Sequence, residues 1–156
     1  MSQTRAVEPW ALEPIKRFVA ESGARLALLM TPAGQVIAQH GFTRAVDVMS
    51  AAALGAAIAA STAEINRMLA EPAFHALSHQ GRRHGVYLGS FVTPRGPVLA
   101  LVVYGAESSI GLVQLFFEEF ERDLVAACPI EPSARPVLAA DFERDLNASL
   151  ASLFGR

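Results

Sequence analysis

The chain has 156 residues, of which 52% are apolar and only 18% charged, with a formal net charge of −2. High hydropathy at low net charge excludes a disordered chain, and a pI near 6.1 excludes nucleic-acid binding driven by bulk charge. The length suits one domain with a real core, and so apolar a chain with so few charges points to a buried subunit interface.

Ala6 to Ser22 reads as an opening helix. Pro14 suits its first turn, where a missing N–H costs nothing, and Ile15, Phe18 and Val19 form its apolar side. Arg25 to His40 reads as a β-hairpin: Leu26–Met30 and Val36–Ala38 flank the turn Thr31-Pro32-Ala33-Gly34. The Thr-Pro-x-Gly chemistry recurs as Thr93-Pro94-Arg95-Gly96, between the apolar runs Val86–Val92 and Val98–Tyr104. Proline presets the first central position of such a turn and glycine supplies the positive φ. Val98–Tyr104 is apolar throughout, which predicts a central strand covered on both faces.

Between the hairpins the spacing predicts a long helix from about Thr43 to Leu69, ended by Pro72. Leu54, Ile58, Ile65 and Leu69 recur at helical spacing and are expected to pack on the helix's own sheet. Phe74–Gln80 is expected to be a strand, with Gly81–Gly85 turning into the next. A closing helix covers about Ser108 to Ala127. Val113, Phe117, Phe120 and Leu124 form its buried stripe, and Glu118, Glu119, Glu121 and Asp123 its wet side, with Glu118 and Arg122 an i,i+4 pair. Pro129, Pro132 and Pro136 then punctuate a linker. A last amphipathic helix follows, with Leu138, Phe142, Leu146, Leu150 and Leu153 in one stripe and an acidic polar side that favours docking on protein over a membrane surface. The order α-ββ-α-βββ-α makes an α+β fold of helical layers on a five-stranded antiparallel sheet. The expected units are a domain over 1–127, a linker over 128–137 and a terminal helix over 138–156.

Motifs for nucleotide hydrolysis are missing: no G-x-x-x-x-G-K-[ST], G-x-G-x-x-G or G-x-S-x-G occurs, and Lys16 is the only lysine. No set of nucleophile, base and orienting residue emerges, so neither an enzyme nor a cofactor site is expected. On a helix His75 and His79 would share a face and could hold zinc. On the expected strand they stand about 13 Å apart, too far for one ion. Cys128 sits at a helix end, where a nucleophilic thiol is not favoured, and being single it permits no intrachain disulfide. Arg82 and Arg83 read as solvated turn residues. The uncharged run Val48–Ala63 is too short and too weakly apolar for a membrane span, and the first residues carry no apolar leader. Cytoplasm is the expected compartment.

The alanine-rich helix carries the most information. Ala52, Ala56 and Ala60 form one small-residue line, and Ala53, Ala57 and Ser61 another. Such lines let a second helix approach closely. They also suit a tightly packed intrachain helix, but the low charge count favours dimerisation.

These features together resemble the Roadblock family, the dynein light-chain-like domains related to longin folds. The resemblance rests on Leu26–Met30 with Gly34–Ala38, the alanine-rich helix from Val48, Gly85–Leu88, Val98–Val102 and a helix opening at Ile110-Gly111-Leu112-Val113, and it covers Ile15 to Ala127. Thr31-Pro32-Ala33 replaces the family's usual acidic turn. The resemblance implies a non-enzymatic homodimer that binds or regulates a Ras-like small GTPase, or scaffolds a signalling complex, with no nucleic acid and no membrane insertion. It also implies a seam built from Ala53, Ala56, Ala57 and Ala60, with Phe74, Ala76 and Ser78 on the adjoining strand, and a sheet continuous across subunits. The terminal stripe of Leu138, Phe142, Leu146, Leu150 and Leu153 would dock on a partner or on a groove of its own core. The alternative is a small-ligand sensor of profilin-like or PAS-like architecture, its pocket lined by Phe91, Tyr104 and Phe117.

Overall fold

The computed structural model of the chain describes residues 3–130 and 134–154; the side chains of 134–142 lie outside the described residues. Strand β1 (Thr4–Ala6) leads through a 3-10 turn at Pro9–Ala11 into helix α1 (Leu12–Ser22). The hairpin β2 (Leu26–Met30) and β3 (Val36–His40) is followed by α2 (Ala45–Met68). Then come β4 (Ala76–Gln80), β5 (Gly85–Thr93), β6 (Gly96–Tyr104), α3 (Ile110–Ala127) and α4 (Ala134–Phe154). The strands form one antiparallel sheet of six in the order β1-β3-β2-β6-β5-β4.

Both Thr-Pro-x-Gly turns form as expected. Gly34 and Gly96 take φ of 85° and 118°, which only glycine adopts without strain. Thr93 Oγ1 donates to the Gly96 carbonyl and accepts from the Arg95 N–H, which closes the second turn. β6 pairs with β2 on one side and β5 on the other, so the uniformly apolar strand is central.

Alternation along the strands splits the core in two. On one face Tyr87, Phe91, Val98, Ala100, Val102 and Tyr104 meet α1 and α3. Phe18, Phe91, Phe117 and Phe120 interlock there: Phe18 stacks on Phe120 at 4.8 Å, and Phe117 meets the edge of Phe91 at 5.9 Å. Each fully buried ring contributes about 1.5–3 kcal/mol from area alone. Gly89 makes room for this packing, because a Cβ there would lie 2.4 Å from Phe117. On the other face Leu28, Met30, Leu88 and Leu99 meet α2.

Several expectations shift. β1 adds a sixth strand, paired with β3 from Thr4↔His40 to Ala6↔Ala38. It carries only Thr-Arg-Ala, too short for any alternation to show. Helix α1 begins at Leu12 because the chain from Pro9 first makes the 3-10 turn. Helix α3 begins at Ile110, where the Ser109 side chain accepts from the Leu112 N–H and caps it. Helix α4 starts at Ala134, inside the expected linker. Among the described residues Glu118 and Arg122 form no ion pair.

Candidate functional site

Helix α2 is the unusual element. Its 24 residues, nine of them alanine, make a rod about 36 Å long. It ends in a Schellman motif, with the Ala70 N–H on the Arg67 carbonyl and the Glu71 N–H on that of Asn66. Ala70 holds the left-handed position at φ 55°, normally a glycine's place. The helix thus stops before Pro72 is reached.

The face that α2 turns to its own sheet is made of small residues: Ala52, Gly55 and Ala59 are its buried positions. A Cβ at Gly55 would lie 2.9 Å from the Met30 methyl. Contrary to the expectation from spacing, Leu54, Ile58, Ile65 and Leu69 point outward, with 65%, 43%, 55% and 66% of their surface exposed. The reason is volume. The sheet already supplies Leu28, Met30, Leu88 and Leu99 to that layer. Little space remains, so small residues face inward and bulky ones face out.

The outer face of α2 is therefore apolar and bare. Met49 and Met68 are also exposed, and no charged residue lies between Asp47 and Glu64. Of the small residues expected at a dimer seam, Ala53, Ala57 and Ala60 are exposed on this face and Ala56 is half-buried. The chain exposes 10155 Å², against about 7,600 Å² for a compact globule of its mass. By length and composition α2 also suffices to cross a membrane, with a mean hydropathy of 1.5. The count over Val48–Ala63 falls short because the helix extends beyond that run at both ends.

β4, beyond β5, is one of the two edge strands of the sheet, and all five of its residues are exposed. The register divides them between the faces of the sheet. Leu77 pairs with Leu88 and His79 with Val86, so both share the face of α2. Ala76 and Ser78 pair with Gly89 and Tyr87, so they lie on the α3 face. Phe74, half-buried, packs with the α2-side cluster. Leu77 thus joins the candidate surface, a residue that only the strand register reveals.

The remaining candidates are placed as follows. In α4, Leu146, Leu150 and Leu153 are exposed, and the side chains of Leu138 and Phe142 lie outside the described residues. Phe91, Tyr104 and Phe117 are buried in the core, and the Tyr104 hydroxyl donates to Gln80 Oε1 at 3.0 Å. Tyr104 and Phe117 border two separate surface hollows rather than one shared pocket, and Phe91 borders neither. Cys128 is buried at the end of α3. Arg82 and Arg83 are exposed in the β4–β5 turn, and His84 meets Arg25, which also pairs with Glu107 at 2.6 Å. That guanidinium holds the Glu107 carboxyl below its usual range. Among the described residues no three His, Cys, Asp or Glu side chains group as a metal site.

A family profile described as the Roadblock/LC7 domain matches residues 11–104. Among curated proteins none matches the chain. Solved structures do. Myxococcus xanthus MglB is 25% identical with a TM-score of 0.63, over 70% of this chain and 87% of that one. The gliding protein MglB from Thermus thermophilus is 27% identical with a TM-score of 0.66, over 76% and 87%. An MglB with tetrameric arrangement is 28% identical with a TM-score of 0.65, over 75% and 86%.

Proposed function

The chain belongs to the Roadblock/LC7 domain family, and on that basis we propose that it is a homodimeric regulator or scaffold for a Ras-like small GTPase, without catalytic residues of its own. The observation that carries this reading is the bare apolar outer face of α2, on a sheet whose β4 edge is open. A second copy related by a two-fold axis would lay its own α2 against this face and bury Leu54, Ile58 and Ile65 in both subunits. The exposed alanines let the helices come close. The apolar run of α2 is then an interface helix and not a membrane span, and the protein works in the cytoplasm. The unit over 1–127 forms the dimer, and the terminal helix stays available for docking.

Likeness to MglB structures over most of their length supports the GTPase partner. A regulator of this kind acts by positioning the GTPase's own machinery or by supplying an arginine. The test uses the full chain and a Ras-like GTPase of the same organism, read by co-elution and by single-turnover GTP hydrolysis and nucleotide exchange. A stable complex with an altered rate of either step is expected. Failure to bind any such GTPase in either nucleotide state overturns the reading.

A further inference from the structure

At the N-terminal end of α2 a cavity of about 390 Å³ opens between the helix and the strands β1 and β3. Small-molecule sites run from roughly 300 to 1,000 Å³, so the size suits a small ligand. Its walls are aliphatic and aromatic: Val36 and Phe42, both half-buried, with Val48 and Met49 of α2. Two cations border it, Arg5 and Arg44, and no aspartate or glutamate does. Arg44 pairs with Asp47 at 3.2 Å, one turn along the helix. Arg5 reaches Gln3 and, among the described residues, no carboxylate.

The second observation is Gln39, a polar side chain in an otherwise apolar layer. Register sets it opposite Leu28 of β2 and Arg5 of β1, so it faces α2 together with Leu28. It is only 7% exposed, yet it lines the cavity. Its carboxamide oxygen accepts from the Phe42 N–H at 3.2 Å. A backbone N–H only donates, so the other arm of the carboxamide is the nitrogen. That nitrogen has no hydrogen-bond partner among the described residues and is not sealed off from solvent. A buried amide with one arm bonded and two N–H donors open to an apolar cavity calls for an acceptor there. The helix adds a donor of the same kind. The N-cap Arg44 lends its first turn no side chain, and Asp47 and Val48 both donate to the Arg44 carbonyl. The Ala45 N–H, at the cavity wall, has no partner among the described residues.

We propose that this cavity binds a small aliphatic acid, its carboxylate held at Gln39 and its hydrocarbon body against Val36, Val48 and Met49. The Gln39 amide, the Ala45 N–H and two guanidinium groups all donate, and a carboxylate accepts from each of them. The rest of the wall gains by taking a hydrocarbon chain out of water. A cationic ligand would meet repulsion from both arginines and find no acid to pair with. The site lies before Leu54, Ile58 and Ile65 on α2 and does not rest on the GTPase reading.

The test is an NMR titration of the full-length protein with octanoate, with 1-octanol as the neutral counterpart and acetate as the head alone. Octanoate is expected to shift the side-chain amide signals of Gln39 and the backbone amides of Arg5, Phe42 and Ala45 to Met49 in a saturable manner. Octanol is expected to bind at least about tenfold more weakly, and acetate at least about a hundredfold. Gln39→Glu keeps the acceptor for Phe42 and turns the donor into a charge that repels the ligand, so octanoate binding should weaken at least about tenfold. Arg5→Gln with Arg44→Gln alters two exposed side chains, which leaves the fold intact, and should weaken it about fivefold. The absence of a saturable shift with octanoate overturns the proposal, as does equal affinity for octanol or for acetate. Shifts centred on Leu54 to Ile65 overturn it too, since the acid then coats the bare face of α2. So does undiminished binding by both variants.

Discussion

Ile58→Glu separates the two faces of α2. Ile58 is 43% exposed in the single chain, so a close-packed partner removes that remainder from water. Full burial of such a side chain is worth about 1.5–3 kcal/mol, so the exposed share is worth about 1 kcal/mol. A two-fold interface counts it twice, and the substitution removes about 2 kcal/mol, or roughly thirtyfold in the dimer constant. Desolvation of two glutamates adds to this. The fold of the single chain should change by less than about 0.5 kcal/mol, because the side chain packs on nothing essential in it. Sedimentation velocity at micromolar concentration is the assay, with urea denaturation as the control. The wild type is expected as a dimer and the variant as a folded monomer. A monomeric wild type, or a variant dimerising as well as the wild type, refutes the reasoning. Ala59→Leu, one position on, should do the reverse and destabilise the chain itself by about 1–3 kcal/mol, because its methyl faces the sheet.

Three further outcomes follow from the packing. Gly89→Ala drives a Cβ to 2.4 Å from Phe117 and is expected to lose about 2–4 kcal/mol in urea denaturation. Ala70→Gly relieves the left-handed position in the Schellman motif and should raise stability by up to about 1 kcal/mol, read as a higher melting temperature. His40 shares a hydrogen bond of 2.7 Å with Thr4, and burial lowers its pKa. The unfolded chain therefore takes up the proton first as pH falls, and stability drops as pH falls through and below the ordinary imidazole range. Urea midpoints across that range should show this drop, and His40→Asn should flatten it.

The strands and both hairpin turns are legible from local chemistry, because Thr-Pro-x-Gly and uninterrupted apolar runs say little else. The orientation of α2 is not. Helical periodicity shows that Leu54, Ile58, Ile65 and Leu69 share a side, but not whether that side meets its own sheet or another molecule. The answer depends on Met30 and Leu28, which already fill the layer and lie more than twenty residues away in the chain. β1 escapes because three residues carry no period.

The open edge of β4 has a consequence for how the protein behaves when crowded. Its residues Ala-Leu-Ser-His-Gln bring no proline, no lysine and no carboxylate to the strand. Natural sheets guard such edges with charge, proline or a bulge. Here the nearest guards are Arg82 and Arg83, in the turn beyond the strand's end. The backbone that would join a second copy in register is equally open to a strand from a half-folded chain. Overproduction should favour insoluble, strand-paired material, and Ser78→Lys should suppress it.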